Sequence, residues 1–255
     1  MSTDLTQLVI DGYSGEGALK FYGDKVANGL WISEKHYIEK YFKLKNSEGT
    51  KVLDVGCGAG RTTIPLMQAG YDVIGIDFIP EMIDTAKKIA QEKNLDVKYE
   101  VGDATALNFP DNSFDHILFS NQGWTQIPGQ AQRLQALTEI YRVLRPGGVF
   151  IFSARERTFW YDFPLWLEQW IKVRILKPVG FPIQEEDYGD LFYEREPGDR
   201  NRTYAKKQFI HFFSKAEAKG ELEKAGFTFL EADGSMQISL DSYRTHPPVL
   251  FISKK

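Results

Sequence analysis

A run of twelve residues, KVLDVGCGAGRT from Lys51 to Thr62, restricts what this chain can fold into more than any other stretch. Val52, Leu53 and Val55 are apolar and largely β-branched, as a strand buried on both faces requires. Gly56, Gly58 and Gly60 follow at once, so the strand ends in a loop whose backbone can take positive φ and lie directly against a ligand. Thr62 to Ala69 then reads as a helix whose free N–H groups point back at that ligand. The combination predicts a nucleotide-type site at the end of a strand in an α/β sheet.

Charge narrows the ligand. The dinucleotide fingerprint G-x-G-x-x-G needs a third glycine where this chain has Arg61, and the pattern present is G-x-G-x-G. Asp54, two residues before the first glycine, would repel a pyrophosphate but suit a ligand that carries an ammonium and a sulfonium, as S-adenosylmethionine does. Asp77 ends the next strand, Tyr71 to Ile76, where an acid can accept both ribose hydroxyls. NAD could use Asp77 equally well; Asp54 and the missing glycine separate the two.

These residues resemble the class I S-adenosylmethionine-dependent methyltransferases, in particular the broad group that includes the quinone-biosynthesis enzymes. VLDVGCGAGR resembles the first motif of that family, IGIDFIPEMI its second, GDATALNFPDNSFDHI its third and fourth, and LRPGG the turn before its fifth strand, covering Lys51 to Ser153. The resemblance implies an α/β, Rossmann-like, seven-stranded and mostly parallel sheet with helices on both faces, and S-adenosyl-L-methionine as cofactor. It implies a cofactor site built from Asp54, Gly56, Cys57, Gly58, Gly60, Asp77 and Phe78, with Asp103 accepting from the adenine amino group and the Ala104 N–H meeting a ring nitrogen. Asn121 corresponds to the loop beside the methionyl moiety and the acceptor, and Tyr22 or Trp31 to residues that close over the cofactor. Trp124 reads equally as a cation–π partner of the sulfonium or as a core side chain.

Along the chain, residues 1–50 read as an N-terminal helical cap, with helices at Gly15–Gly23 and at Ser33–Lys45, the latter capped by Ser33. Residues 51–153 form the cofactor-binding core. Its strands are expected at Val52–Val55, Val73–Ile76, Val97–Val101, Phe114–Phe119 and Val149–Phe152, and its helices at Thr62–Ala69, Pro80–Lys93 and Gln130–Leu144. Pro146-Gly147-Gly148 reads as the turn into the fifth strand. Residues 154–208 are too long for a plain connection and rich in aromatics, which predicts a substrate lid inserted after the fifth strand. Within it Phe159–Leu176 reads as an amphipathic helix, followed by an acidic cluster at Glu185, Glu186, Asp187 and Asp190 and a basic one at Arg195, Arg200, Arg202, Lys206 and Lys207. Residues 209–255 supply a last helix, Ser214 to Ala225, and two antiparallel edge strands, Phe227–Glu231 and Val249–Ser253. Ser214 and Glu217 are spaced as a capping box.

A net charge of −4 argues against a protein that coats nucleic acid by charge alone. The N-terminus lacks a signal-peptide pattern and no apolar run reaches the roughly 18 residues of a membrane span, so no membrane partner is expected and the location is read as cytoplasmic. Cys57 is the single cysteine and reads as a small packed side chain. The histidines His36, His116, His211 and His246 lack ligand spacing, and no metal is expected. His116 reads as structural. His211, Tyr188 and Glu185 are the catalytic candidates, because the acceptor side should be built from their regions.

Three functions stay open. The leading one is methyl transfer to a small-molecule acceptor under the aromatic lid. The second is tRNA methylation of the wobble-uridine type, from the insertion's acidic start, basic stretch and HFF. The third is a cofactor-binding regulatory module without activity.

Overall fold

Alternating apolar strands separated by amphipathic helices can bury both faces of a sheet only if helices cover each side. The computed structural model describes residues 2–44, 49–158, 162–194, 207–240, 244 and 246–255, and it has that architecture. Its strands are β1 (Lys51–Val55), β2 (Asp72–Asp77), β3 (Lys98–Val101), β4 (Phe114–Phe119), β5 (Leu144–Ala154), β6 (Asp190–Glu194), β7 (Lys207–His211), β8 (Thr228–Asp233) and β9 (Val249–Lys254). Its helices are α1 (Ser2–Tyr13), α2 (Glu16–Asp24), α3 (Ile32–Tyr41), α4 (Thr63–Gln68), α5 (Pro80–Glu92), α6 (Gln130–Val143), α7 (Phe163–Ile171) and α8 (Lys215–Lys224). Seven strands form one sheet in the order β3-β2-β1-β4-β5-β9-β8; β1 to β5 are parallel, and β9 runs antiparallel to both neighbours.

Period-two alternation sorts the side chains between two cores. Leu53, Phe150 and Phe152 join Trp124, Leu137 and Ile140 on one face, and Val52, Val149 and Ile151 join Leu66, Tyr37 and Ile38 on the other. Trp124 is fully buried against Phe119, Phe152 and Phe213, so of its two readings the structure takes the core one. His116 stacks on Phe42 with ring centroids 4.4 Å apart, a packing role.

Some expected boundaries move. Pro146-Gly147-Gly148 does not precede the fifth strand but lies inside it, at a register shift between Phe114 and His116, with Gly147 at φ +82°. The helix expected from Ser33 is α3, capped at Trp31, whose N–H donates to Glu34 Oε2 at 2.7 Å; Ser33 is buried within the first turn. The Ser214–Glu217 capping box is present, with Glu217 N donating to Ser214 Oγ at 3.1 Å. Helix α1 and the β6–β7 hairpin were not expected, and the helix expected over Phe159–Leu176 is realised as α7 followed by a π-helical turn, Lys172–Leu176. The basic residues Arg195, Arg200, Arg202 and Lys206 lie outside the described residues.

Candidate functional site

In the strand order, β1 is flanked by β2 on one side and β4 on the other, so the loops after β1 and β4 part and leave a crevice at the carboxyl ends of the strands. A cavity of about 200 Å³ lies there. The loop after β1 contributes Gly56, Cys57 and Gly58; the loops after β2, β3 and β4 contribute Asp77 and Phe78, Asp103 and Ala104, and Asn121. Thr6, Val9 and Tyr13 of α1 and Tyr22 of α2 close one side, and Gln126, Ile127 and Pro128 another.

The glycine loop is tied to Asp77. Gly58 sits at φ +54° with no atom within 4 Å of where a Cβ would be, so backbone is presented bare to the cavity. Its N–H donates to Asp77 Oδ2 at 2.8 Å, while Ile79 N donates to Oδ1 at 2.9 Å. Burial pushes the Asp77 carboxyl up against the opposing pull of these N–H groups, and each oxygen keeps lone-pair capacity for a ligand. Asp103 accepts from Thr105 N and Oγ1, both at 2.8 Å and both to Oδ1.

Two expected site residues do not reach the cavity. Asp54 is fully buried behind the loop, where Oδ2 accepts from the Thr62 and Thr63 hydroxyls at 2.6 Å each. Its Oδ1 has no partner among the described residues, and burial pushes the carboxyl up to about 6. Asp54 therefore clamps the start of α4 instead of facing a ligand. Gly60 is required for a different reason: at φ +94° a Cβ there would strike the Tyr99 hydroxyl. Cys57 lines the cavity as a buried thiol that burial holds well above its ordinary pKa.

Arg61 is the residue whose role the sequence hides. It lines the cavity, but its guanidinium is spent on a bidentate pair with the fully buried Glu34 of α3, at 2.7 and 2.8 Å, and on the Gly29 carbonyl at 2.7 Å. The Trp31 ring covers it at 4.8 Å, so the other expected closing residue acts through Arg61. Tyr22 lines the cavity beside Tyr13, with ring centroids 5.7 Å apart. Burial pushes Tyr22 up to about 12 and raises Tyr13 well above the ordinary phenol range, so both stay neutral phenols.

None of the catalytic candidates lines the cavity. His211 is fully buried, its Nδ1 at 2.6 Å from Asp190 Oδ1 and its Nε2 at 3.1 Å from Glu217 Oε1. Tyr188 stacks under the Arg157 guanidinium at 4.1 Å, and the Glu185 carboxylate is 3.8 Å from Lys172. These residues hold the insertion together, because buried charges from different elements must be paired. Among the described residues none from 154–208 lines the cavity, whereas Thr6, Val9 and Tyr13 of α1 do; residues 159–161 and 195–206 of the expected lid lie outside the described residues. The insertion braces α1 from outside, with Gln208 Nε2 donating to the Gly12 carbonyl at 3.5 Å. Asp187, Asp190 and His211 lie close enough together to hold a metal ion, but both imidazole nitrogens already face carboxylates, and Arg133 pairs with Asp187 at 3.1 Å.

The His211 pairings have a measurable consequence. Burial opposes the imidazolium, but hydrogen bonds to Asp190 and Glu217 outweigh it and raise the pKa. For Glu217, burial is likewise outweighed, by His211, Arg157 and Arg133, which lower it. The His211 contribution to stability is present below the ordinary imidazole pKa of about 6.5 and is lost as pH rises through the raised folded value. That of Glu217 is present above the ordinary carboxylate range and lost as pH falls through its lowered value. Urea denaturation across pH should show stability falling on the alkaline side, and His211→Gln should flatten that fall; an unchanged alkaline limb would contradict the assignment.

Comparison with known proteins gives a consistent picture. Residues 52–148 match a family described as a methyltransferase domain. Demethylmenaquinone methyltransferase of Staphylococcus aureus is 31% identical over 208 residues, 78% of each chain. A solved SAM-dependent methyltransferase from Methanosarcina mazei has a TM-score of 0.67 at 22% identity, covering 89% of this chain and 98% of its own. Magnesium protoporphyrin IX methyltransferase from Synechocystis PCC 6803, solved with SAH bound, has a TM-score of 0.55 at 19% identity over 92% and 84% of the two chains. At those identities the two solved structures speak to the fold alone.

Proposed function

The chain belongs to the class I S-adenosylmethionine-dependent methyltransferases, and from that premise we propose that it methylates a small, largely apolar acceptor held between the glycine loop and α1. The residues present suit the cofactor. Asp77 and Asp103 offer carboxylate oxygens to hydroxyl and amino donors, Gly58 admits close backbone approach, and the two cavity cations are not free for a pyrophosphate. Arg61 is neutralised by Glu34, and Lys25 lies 3.8 Å over the Phe21 ring.

When bound, S-adenosylmethionine supplies a methyl carbon made electrophilic by its sulfonium. The part left to this chain is alignment and exclusion of water, since an in-line displacement at such a carbon gains most from a fixed approach of the nucleophile. Tyr13 and Tyr22, kept neutral by burial, can donate a hydrogen bond to an acceptor oxygen but do not serve as bases near neutral pH. The observation that carries the acceptor reading is the composition of the remaining wall: Val9, Tyr13, Tyr22, Ile127 and Pro128 form an apolar, aromatic surface that, among the described residues, holds no cluster of cations for phosphates. The name of the Staphylococcus aureus relative, which refers to demethylmenaquinone, supports an aromatic acceptor.

Incubation with methyl-labelled S-adenosylmethionine tests it. Label is expected in hydroxylated naphthoquinols and absent from bulk tRNA. Label in tRNA would overturn the proposal, and tight cofactor binding with no transfer to any apolar phenol or quinol would favour a regulatory module.

A further inference from the structure

We infer that the helix inserted after β5 docks this protein on the surface of an anionic lipid bilayer. In a helix at the surface of a soluble protein the polar side faces water and the apolar stripe faces the core. Helix α7 and the π-helical turn that continues it invert this rule. Trp166 and Gln169 face inward and are buried, Gln169 donating to the Asp190 carbonyl and accepting from Gly189 N at 3.2 Å. The outward side carries Leu167, Trp170, Ile171 and Ile175, with Val179 and Phe181 just beyond, each between 37% and 69% exposed. The spacing i, i+3, i+4 and i+8 sets the first four in one stripe. A single exposed leucine is ordinary, but a run of large apolar side chains turned to solvent along one helix marks a binding surface.

Charge selects the occupant. Residues 163–183 contain one acid, Glu168, against three bases, Lys172, Arg174 and Lys177, in a chain whose net charge is −4. Glu168 is spent on Lys172 at 2.7 Å, and Lys177 donates to the Glu185 carbonyl at 2.6 Å. Arg174 is exposed beside the stripe and has no partner among the described residues. A second copy packed on this face would offer the buried Arg174 only a Glu168 already paired with Lys172, which is costly. A bilayer surface presents no such conflict. The apolar side chains enter the acyl boundary, Trp170 sits at headgroup level, and the Arg174 stem lies along them while its guanidinium reaches a lipid phosphate.

No helix of the described residues is long and apolar enough to cross a membrane, so the contact is interfacial. It also reaches the site. Gln169 ties α7 to the start of β6, β6 pairs with β7, and Gln208 of β7 holds Gly12 of α1 over the cavity. The inference does not depend on the acceptor reading, because lipid binding is measured without turnover.

Co-sedimentation of the full chain tests it, using vesicles of phosphatidylglycerol with phosphatidylethanolamine and, separately, of phosphatidylcholine. Binding to the anionic vesicles is expected, and at least about tenfold weaker binding to the neutral ones. The triple variant Leu167→Gln, Trp170→Gln, Ile175→Gln should lose at least about tenfold in partitioning. Its urea midpoint and its calorimetric affinity for S-adenosylmethionine should match the parent chain. Arg174→Glu should remove most of the preference for anionic lipid. Absence of binding to anionic vesicles, or binding retained by the triple variant, would overturn the inference. So would a dimer of the parent chain that the triple variant dissolves into monomers, since that would give the face to a second copy.

Discussion

Replacing Arg61 by Ala is expected to destabilise the fold by about 3–5 kcal/mol, against the 0–1 kcal/mol typical of an exposed ion pair. The reason is what it leaves behind. Glu34 is fully buried, with Oε2 taken by Trp31 N and Arg61 Nη1 and Oε1 by Arg61 Nη2 and the Ser120 hydroxyl. Without the guanidinium, a carboxylate that water cannot reach loses its only cation among the described residues, and the Gly29 carbonyl loses its donor as well. Replacing both partners by Leu should be far milder than either single change, because it removes the stranded charge together with its partner. Urea denaturation of the two single variants and the double decides it. A cost below about 1 kcal/mol for Arg61→Ala, or a double variant worse than both singles, would show that the pair does not carry the junction between α3 and the glycine loop.

What was legible in the sequence and what was not follows from how far each signal reaches along the chain. The apolar runs of β1, β2 and β4 and the Ser214–Glu217 cap are local patterns, and they stand where local reasoning puts them. The placement of Asp77, Phe78, Asp103, Ala104 and Asn121 around one cavity also follows, because a parallel sheet brings every loop after a strand to the same edge. Asp54 shows the limit. Its position before the glycines is local, but which way its carboxylate turns depends on two threonine hydroxyls that a central, doubly covered strand makes necessary partners. Arg61 and Glu34 meet across 27 residues, and Gly12 and Gln208 across 196, so no spacing within a window records either contact. Helix α1 lines the cavity for the same reason: its apolar face is completed by distant elements, β7 above all, and by α2 and α5. The concentration of Tyr13, Phe21 and Tyr22 ahead of the first strand, beside the resemblance that places Tyr22 or Trp31 over the cofactor, was the hint that the N-terminal segment builds the cavity.

Asp77→Asn is expected to weaken S-adenosylmethionine binding by about 10- to 150-fold, the range that corresponds to losing one to two charge-assisted hydrogen bonds. Asn is the informative replacement. The carboxylate also holds the glycine loop through Gly58 N and Ile79 N, and Ala would remove that support and the ligand contact together. Asn keeps one carbonyl acceptor for one of those N–H groups and converts the other oxygen into a donor that opposes the Gly58 N–H and can no longer accept from a ribose hydroxyl. Burial already works against the charge of Asp77, so the energy to hold an ionised group there is spent in the free protein and recovered when a ligand donates to it. Calorimetry with S-adenosylmethionine and with NAD, alongside urea denaturation, separates the effects. Affinity for S-adenosylmethionine should fall far more than stability, and NAD should bind more weakly than S-adenosylmethionine to the parent chain. A change of less than about threefold in S-adenosylmethionine affinity would remove Asp77 from the ligand, and tighter NAD binding would mean that Arg61 is freed from Glu34 to meet a pyrophosphate after all.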